Sequence, residues 1–408
     1  MDLAYGAEYD AFRGEVRQFL ETHGHRAPKG TNPPSPAVVE WQKLLISNGY
    51  AARTIPREYG GYGAETDILK SRIIAEEFAA ARVSPGIGGI GVSMLVPTVL
   101  ELGTEEQKRR HVRPTIEGET IWCQGYSEPG SGSDLASLRT RAHLDGDHWV
   151  INGQKIWTSG AHVAHWMFCL VRTEPDAPKH QGISFLLLRM DTPGIETRPL
   201  VDMTGAANFN EVFFTDVRVP RHQMIGERGE GWRVANTILG HERNFLGDPD
   251  ESLARVYALI RLMQSETVDG RPLMEHPTYR DRLMRIQGRV MAMRFNDLRI
   301  LSAKVNGRDA TLAGMIVKLQ GTELRHELEQ LGIDVMGERG LAYGEKTGPD
   351  ASERFSWQTH YMFYLGLIIG GGTSQIQKNI IGERGLGLPR EPKALPGSAP
   401  WAAKAAGA

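Results

Sequence analysis

Residues 121–160 read IWCQGYSEPGSGSDLASLRTRAHLDGDHWVINGQKIWTSG, and a change of pattern inside this stretch decides the fold. Before it, apolar residues recur at helical spacing, as at Phe12, Val16 and Leu20. From residue 121 onward, short β-branched or aromatic runs alternate with turn signals such as DGD at 145–147. The stretch therefore marks the boundary between a helical region and a β-rich region.

Helical spacing dominates the N-terminal part of the chain. The helices expected there cover residues 8–24, 36–49, 64–82 and 92–102. Thr104 stands three residues before Gln107, which is the spacing of a capping box and predicts the start of a further helix. We therefore expect an N-terminal helical domain over residues 1–120.

The middle of the chain has the pattern of strands. Its apolar and aromatic runs are HWVING (148–153), HWMFCLVRT (165–173), GISFLLLRM (182–190) and NEVFFTDVRVP (210–220). Turn-forming segments rich in Gly, Pro and Asp separate these runs. They predict a β-barrel-like domain over residues 121–230.

Helical spacing then returns for the rest of the chain. The expected helices cover residues 231–264, 278–306, 308–333 and 357–384. Long helices of this kind suggest a four-helix bundle over residues 231–390, with a break at 269–277 and a polar loop at 337–356. The last segment, 391–408, is rich in Pro, Ala and Gly and is expected to be disordered. The fold class is thus α+β, mostly α.

Composition excludes several kinds of protein. The 408 residues include 47 Lys and Arg against 49 Asp and Glu, a balance that argues against electrostatic binding of nucleic acid. Cys123 and Cys169 lie in apolar contexts, which are typical of buried thiols. His162 and His165 have no Cys or carboxylate set at ligand spacing. No metal site is expected.

The chain has no sequence signal for export or for a membrane. No apolar run approaches the ~20 residues that span a bilayer. The first ten residues, MDLAYGAEYD, lack the basic and apolar regions of a signal peptide. We expect a cytoplasmic protein without a membrane span, and two buried thiols fit that reducing setting.

Two segments within 121–160 have the residue types of a flavin site. The small residues at 130–133 bring backbone N–H groups and hydroxyls together, as in loops that cradle phosphates or ring edges, although such a loop alone favours an ordinary turn. Trp157 then offers a flat wall, with the hydroxyls of Thr158 and Ser159 beside it. An isoalloxazine ring needs this pairing of a wall and a hydrogen-bond donor.

Together, these segments and the helices around them resemble the acyl-CoA dehydrogenase family as far as residue 390. The TEPxxGSD motif of that family corresponds to SEPGSGSD at 127–134, and its WIT or WTS motif corresponds to WTS at 157–159. Each motif alone is moderately specific, whereas the pair is highly specific.

The resemblance implies an FAD site and a role for each matching residue. Tyr126 and Ser127 would hold the flavin pyrimidine, and Trp157 would pack on the ring. Ser159 would place its hydroxyl at N5, and Ser133 would face the nucleotide and pantetheine end of an acyl-CoA. The resemblance also assigns to the cofactor site Gln124, Gly132 and Thr158.

A glycine-rich turn near the C-terminus matches the family motif YEGTxxIQR. It reads GGGTSQIQK at 370–378, and its glycines let the backbone approach the cofactor and the thioester. The resemblance implies that the Gly371 amide polarises the thioester carbonyl and that Gly372 contacts the substrate. It also implies FAD contacts across a subunit interface from Thr373, Ser374 and Gln375.

The turn lacks the residue that most of the family uses as the catalytic base. That glutamate is the second residue of the motif, where this chain has Gly371. Some members carry the base on a helix of the C-terminal bundle, and the resemblance places Glu242 there, followed by Arg243, which would position the base or the flavin and contact the substrate. Without that resemblance, the same pair would be interpreted as solvated helix charges.

Two other family motifs are degraded. The motif RxxFG corresponds to ETVDG at 266–270, without the arginine, and QxxGGxG corresponds to EQLGIDVMGERG around 329–340. Both serve the flavin of the adjoining subunit in the family. The resemblance therefore suggests a heterotetramer with a related subunit, with a homotetramer as the alternative.

The activity implied by the resemblance is FAD-dependent α,β-dehydrogenation of an acyl-CoA to the trans-2-enoyl-CoA. Glu242 would remove the α-proton, a hydride would pass to N5, and an electron-transfer flavoprotein would take the electrons. The alternatives are an oxygen-using flavoprotein of the same fold and a non-catalytic partner subunit. Fatty, branched and steroid-like acyl groups all remain open.

Overall fold

The computed structural model describes residues 6–29, 34–242, 247–344 and 356–390, with backbone only at 241 and 242. Its N-terminal part is helical, as predicted. The helices are α1 (Ala7–His23), α2 (Pro36–Ser47), α3 (Ile68–Ala81), α4 (Val96–Leu102) and α5 (Glu105–Ile116), with a single π turn (Gly91–Leu95) leading into α4.

The N-terminal helices form because their apolar positions share one face. In α1, Phe12, Val16 and Leu20 are buried at helical spacing and pack in one cluster with Trp41 of α2 and Phe78 of α3. The predicted capping box at the start of α5 is confirmed, because Thr104 and Gln107 exchange side-chain and backbone hydrogen bonds.

The middle of the chain forms one eight-stranded sheet. Its strands are β1 (Trp122–Gly125), β2 (Arg141–Asp145), β3 (His148–Lys155), β4 (Trp166–Arg172), β5 (Ile183–Arg189), β6 (Ile195–Leu200), β7 (Phe209–Pro220) and β8 (Met224–Ile225). The order is β6-β7-β3-β2-β4-β5-β8, and β1 pairs with β4 in parallel. Cys123 and Cys169 are buried free thiols between these strands, as predicted.

A helix then joins the sheet to the C-terminal bundle. This helix, α6 (Gly231–Glu242), packs Val234, Ala235 and Ile238 into the apolar core that also contains Phe168 of β4 and Phe185 of β5. Because these three positions recur on one helical face, α6 lies along the sheet.

Four long helices form the bundle. They are α7 (Pro249–Ser265), α8 (Pro277–Val305), α9 (Thr311–Met336) and α11 (Ser356–Ile369), with the short α10 (Glu338–Leu341) between the last two and α12 (Ser374–Ile380) at the end. Their core includes Leu259, Val290, Leu328 and Leu331. The predicted α+β architecture, with helical, β and helical parts in that order, is confirmed.

Three details of the bundle differ from the prediction. The helix expected over 231–264 ends at Glu242, and α7 begins only at Pro249, because Gly247 has a positive φ of 102° and Asp248 caps the new helix. The helix expected over 357–384 is interrupted by Gly371 and Gly372, whose φ values are also positive. A two-stranded hairpin, β9 (Thr267–Val268) and β10 (Arg271–Pro272), begins before the break expected at 269–277 and extends into it.

The polar loop expected over 337–356 begins with the helical turn α10, and its residues 345–355 lie outside the described residues, as does the tail predicted at 391–408. In the parts of the chain that the structure describes, no helix combines the length and the apolar character needed to cross a bilayer.

Candidate active site

Two of the predicted flavin segments lie side by side at one edge of the sheet. Tyr126 and Ser127 follow β1, and Ile156 and Trp157 follow β3. The backbone N–H of Ile156 donates a hydrogen bond of 2.9 Å to the carbonyl of Ser127. The fold therefore brings together motifs that are 30 positions apart in sequence, since residue 127 precedes residue 157 by that number.

A buried ion pair fixes these two segments to each other. The Nζ atom of Lys155 donates to Oε1 of Glu128 at 2.8 Å and to the carbonyl of Tyr126 at 3.1 Å. The same carboxylate accepts the backbone N–H groups of Arg139 at 2.6 Å and Thr140 at 2.9 Å. Burial by itself would raise the pKa of Glu128, but the Lys155 charge and these hydrogen bonds outweigh it and hold that pKa below its usual value.

The loop of small residues at 130–133, called the Gly/Ser loop, follows Glu128 and has open space on its exposed side. Glu128 and Ser131 exchange two backbone hydrogen bonds of 3.0 Å, which makes a tight turn. A Cβ atom added at Gly130 or Gly132 would meet no heavy atom within 4 Å. Gly132 and Ser133 are exposed, so the loop presents bare backbone to whatever binds beside it.

Trp157 stands in a strained and exposed conformation. Its φ of 59° is left-handed, which is rare for a bulky residue and is typical of functional sites. The residue is 58% exposed, and its indole meets the ring of Phe209 edge-on at a centroid distance of 5.8 Å. A large flat ring held in this way on the surface offers a wall for a planar ligand.

Asn210 of β7 holds the residue after Trp157. The backbone N–H of Thr158 donates to the Asn210 carbonyl, and the Asn210 side chain donates to the Thr158 carbonyl, both at 3.0 Å. Thr158 is fully buried, yet its Oγ1 has no hydrogen-bond partner among the residues that the structure describes. Ser159, the predicted N5 donor, is exposed beside it.

The glycine turn is fixed by the bundle. Gly371 and Gly372 have φ values of 64° and 93°, which glycine alone adopts freely. Thr373 caps α12 by accepting the N–H of Ile376 at 3.2 Å. Ser374 is buried, and its Oγ has no partner within the described ranges, whereas Gln375 is exposed.

The candidate base is placed only by its backbone. Glu242 is the last residue of α6 and follows the buried Ile238 by one helical turn. Arg243 lies outside the described residues. The roles predicted for both residues stay predictions.

Comparison with known proteins identifies the family across nearly the whole chain. Family models described as the N-terminal, middle and C-terminal domains of acyl-CoA dehydrogenase match residues 6–119, 123–217 and 229–386. The acyl-CoA dehydrogenase IpdE1 of Mycobacterium tuberculosis is 39% identical over 399 residues, which cover 95% of this chain and 99% of that relative. The chain belongs to the acyl-CoA dehydrogenase family.

Solved structures of acyl-CoA dehydrogenases agree with this assignment. The Tcur3481-Tcur3483 steroid ACAD has a TM-score of 0.78 at 29% identity, with 96% of this chain and 100% of that chain covered. The ChsE4-ChsE5 complex from Mycobacterium tuberculosis has a TM-score of 0.77, also at 29% identity, with 96% and 100% covered. The chain is therefore an enzyme of a family whose members are generally FAD-dependent flavoproteins.

The residues present at the acyl-CoA dehydrogenase motifs fit a flavin. Thr158 and Ser374 each bury a hydroxyl without a partner among the described residues, a situation that costs free energy unless a ligand supplies the hydrogen bond. Trp157 supplies the wall, and Gly130 and Gly132 supply open backbone.

Sequence reasoning missed the residues that support the site from behind. They are Lys155 and Asn210 in the sheet and Lys318 and Gln377 in the bundle, and all four are buried polar residues. Lys155 left only a weak signal: it lies two residues before Trp157, at the end of a predicted strand. Lys318 left none, since lysine is common on helices.

The structure keeps the predicted site residues in two groups. Gln124, Tyr126, Ser127, Trp157, Thr158 and Ser159 lie at the edge of the sheet. Thr373, Ser374 and Gln375 lie at the start of α12, where the contacts that fix the turn come from α9 and from α12 itself. That FAD contacts this second group across a subunit interface stays a prediction.

Proposed function

We propose that this chain is an FAD-dependent acyl-CoA dehydrogenase subunit that converts an acyl-CoA thioester to the trans-2-enoyl-CoA and passes the electrons to an electron-transfer flavoprotein. The observation that carries the proposal is the pair at the end of β3, where the exposed Trp157 stands beside the buried, unpartnered hydroxyl of Thr158. Neither an exposed indole nor an unpartnered buried hydroxyl stabilises the fold by itself. A bound flavin ring would cover the indole and give the hydroxyl a hydrogen-bond partner.

Each part of the chain has a defined task in this reaction. FAD, when bound, supplies the acceptor for the hydride that leaves the β-carbon. Trp157 and the Gly/Ser loop orient the ring, and Ser159 offers a hydroxyl at its edge. The backbone N–H of Gly371 polarises the thioester carbonyl, which acidifies the α-carbon.

Glu242 is the proposed base for the α-proton. The turn residue Gly371 has no side chain to serve, so the carboxylate must come from another element. Glu242 ends α6, the helix that follows the sheet and precedes the bundle in the chain. A carboxylate in a dry pocket there would have a raised pKa and hence greater strength as a base. Arg243 follows it and is proposed to contact substrate or flavin.

The substrate class is proposed from the solved relatives. The steroid ACAD named above is similar over 96% of this chain, which supports acyl-CoA thioesters with a bulky steroid-like acyl group ahead of straight fatty acyl groups. Branched acyl groups, which are bulkier than straight chains and smaller than steroid-like groups, are the third class to be tested.

A heterotetramer with a related subunit is proposed as the working assembly. Glu329 begins the segment that matches the degraded QxxGGxG motif, and it is fully buried within its own chain. Arg255 donates to both of its carboxylate oxygens, at 2.8 Å to Oε1 and 2.6 Å to Oε2. Burial raises the pKa of Glu329 against the opposing effect of Arg255. This carboxylate is therefore engaged internally.

The rest of that segment is also closed. A Cβ atom on Gly332 would lie only 2.1 Å from the ring of Trp357, and the Arg255 guanidinium lies 3.5 Å from the centroid of the same ring. Trp357 thus covers the helix face that the family motif would present to a neighbour's cofactor. This supports a chain that holds its own flavin motifs and contributes little to a second flavin site.

An exposed apolar surface next to Trp157 supports a partner subunit. Leu200 pairs with Phe209, which contacts Trp157, and the following residues Val201 and Met203 are exposed. The hydroxyl of Tyr343 donates to the Thr204 carbonyl at 2.6 Å, which brings the exposed end of α10 to the same place. Exposed apolar residues grouped in this way favour an interface.

The test of the reaction is anaerobic spectroscopy of the purified chain, alone and co-expressed with the product of a neighbouring gene of the same family. Straight, branched and steroid-like acyl-CoA thioesters are added in turn, and bleaching of the flavin band is followed. We expect bleaching by the steroid-like class. A preparation that holds FAD but bleaches with none of the three classes contradicts the proposed reaction, and rapid oxygen consumption by reduced enzyme favours an oxygen-using flavoprotein instead.

Glu242→Gln tests the base, with Glu230→Gln as its matched control. Glu230 directly precedes the same helix, is partly exposed and pairs with Arg233. Glu242→Gln should keep FAD and shift its spectrum on binding acyl-CoA, yet should not bleach. It should also lose exchange of the α-proton with deuterated solvent. Bleaching at the wild-type rate in Glu242→Gln would assign the base to another residue.

Size-exclusion chromatography with light scattering tests the assembly. The chain alone should bind substoichiometric FAD, and the co-expressed pair should form a tetramer with two FAD. A homotetramer with four FAD from this chain alone excludes the heterotetramer.

A further inference from the structure

Lys318 is a buried lysine on α9 that contacts the glycine turn. Its side chain is 2% exposed, and its Nζ donates to the carbonyl of Ile368 at 3.1 Å and to the carbonyl of Gly372 at 2.6 Å. Ile368 lies in the last turn of α11, where carbonyls lack a partner within the helix and attract a cation. One ammonium group therefore caps α11 and holds the turn that follows it.

A second buried side chain holds the neighbouring peptide. Nε2 of Gln377 donates to the Gly371 carbonyl at 2.9 Å, and Gln377 is itself buried. Upstream, the N–H of Gly370 donates to the Gly366 carbonyl at 2.8 Å. The peptide groups on either side of the Gly370–Gly371 peptide are therefore each held by a hydrogen bond.

The direction of the turn's N–H groups follows from these contacts. In a trans peptide, the C=O of one residue and the N–H of the next point in opposite directions. Because the carbonyls of Gly371 and Gly372 point at Gln377 and Lys318, the N–H groups of Gly372 and Thr373 point away from those two side chains. The carbonyls of the turn therefore face the buried donors Lys318 and Gln377, and its N–H groups face the opposite way.

The same stretch of α9 also fixes the segment after the candidate base. A Cβ atom on Gly321 would lie 2.3 Å from Cα of Gly247, and one on Gly247 would lie 2.6 Å from the carbonyl oxygen of Val317. Gly247, which lies just before α7, is therefore in backbone contact with α9, one helical turn from Lys318. This short part of α9 fixes the spacing between the two segments.

We propose that Lys318 is a positioning residue for the dehydrogenation, which holds the Gly370–Thr373 turn in the shape that presents its peptide N–H groups to the acyl thioester. The proposal rests on the proposed function. Neither side chain touches the substrate: Lys318 and Gln377 act through the backbone of the turn. Loss of such a scaffold is expected to reduce the rate of the chemical step more than substrate binding, because alignment matters most in the transition state.

The test compares Lys318→Met, which keeps the unbranched chain out to Cε and removes the charged donor group, with Lys304→Met at the exposed end of α8. The assembled flavoprotein is used throughout. Stopped-flow bleaching by acyl-CoA should slow by roughly 100-fold in Lys318→Met, with KM changed less than kcat. Lys304→Met should behave as wild type.

Hydrogen exchange read by mass spectrometry gives a second readout that needs no activity. Peptides covering 366–380 should exchange faster in Lys318→Met than in wild type, because the turn loses the contacts that order it. If wild type itself fails to bleach, the proposed function fails, while the exchange experiment still tests the positioning of the turn. Lys318→Met with wild-type kcat, KM and exchange would overturn the proposal.

A second variant that keeps a hydrogen-bond donor at position 318 allows the test if the first variant does not fold. If Lys318→Met does not fold, Lys318→Gln is used, which retains an N–H donor without the charge. Its rate and its exchange should lie between those of wild type and those expected without Lys318. A folded Lys318→Gln enzyme with wild-type values of both would equally overturn the role of the ammonium.

Discussion

The ammonium of Lys155 lies 2.8 Å from Oε1 of Glu128, and this buried ion pair joins the end of β3 to the loop after β1. Each element carries one of the predicted flavin motifs. Removing two charges from water costs free energy that a buried pair recovers only with further hydrogen bonds, which Glu128 receives from two backbone N–H groups. The pair therefore fixes the relative position of the two motifs.

Breaking this pair on one side should destabilise the protein strongly. Lys155→Met leaves the Glu128 carboxylate buried without its counter-ion, and we expect a loss of about 3–5 kcal/mol in the free energy of unfolding together with weaker FAD binding. The double variant Lys155→Met with Glu128→Gln should regain much of that stability. Chemical denaturation and the ratio of flavin to protein absorbance measure the two effects.

A surface ion pair of the same loop gives the control. Lys179 pairs with Asp134 at 2.7 Å, and both side chains are largely exposed. Lys179→Met should cost less than about 1 kcal/mol. Equal losses from Lys155→Met and Lys179→Met would mean that burial adds nothing to the pair.

Removal of the unpartnered hydroxyl of Thr158 should affect FAD binding and protein stability differently. Thr158→Val keeps the shape of the side chain and removes Oγ1, which makes no hydrogen bond within the described residues. The apoprotein should be as stable as wild type or slightly more stable, whereas FAD affinity should fall by roughly tenfold, the value of one hydrogen bond of about 1.4 kcal/mol. Thermal denaturation of apoprotein and flavin titration give the two numbers. A less stable apoprotein with unchanged FAD affinity would mean that the hydroxyl serves the fold.

The sequence was sufficient to predict the order of the parts and to single out the two motifs that the fold brings side by side at Ser127 and Ile156. Trp157 and the Gly/Ser loop belong to motifs with fixed spacing, and helical and strand periods predict the layers around them. The sequence did not predict the buried residues that support the site, because a lysine such as Lys155 or Lys318 is expected on the solvent-exposed surface. Their burial depends on partners 27 and 54 positions away, Glu128 and Gly372, which no local pattern reveals.

The break between α6 and α7 shows the same limit. Periodicity favours one continuous helix over 231–264, since apolar residues keep their spacing on both sides. Gly247 interrupts it because its backbone lies against Gly321 of α9, a contact between elements distant in sequence. The place where the bundle begins is thus set by tertiary packing.

Buried His111 should make the stability of the protein depend on pH. Burial, helped by the charge of Arg110, lowers the pKa of His111 to about 4, and its ring packs edge-on against Trp122 and Trp166. Between the ordinary histidine value near 6.5 and about 4, the unfolded chain binds a proton that the folded chain does not. Stability is therefore full above that window and falls as the pH is lowered through it, by roughly 3 kcal/mol in all.

His111→Phe isolates this contribution, because it keeps the ring contacts and cannot take up a proton. Urea denaturation at several values between pH 7 and pH 4 should give a shallower decline in the variant than in wild type. Parallel curves for the two proteins would assign the acid sensitivity to other groups.

Gly321→Ala should disturb the segment that follows the proposed base. The added methyl group would lie 2.3 Å from Cα of Gly247, a backbone atom that cannot move without shifting the chain between α6 and α7. We expect a loss of about 1–3 kcal/mol in stability and slower flavin bleaching at unchanged FAD content. Gly314→Ala on the same helix is the matched control, since a Cβ there meets nothing within 4 Å, and it should stabilise α9 by up to about 1 kcal/mol. If Gly321→Ala is as stable and as fast as Gly314→Ala, the close contact between Gly247 and Gly321 does not position the base.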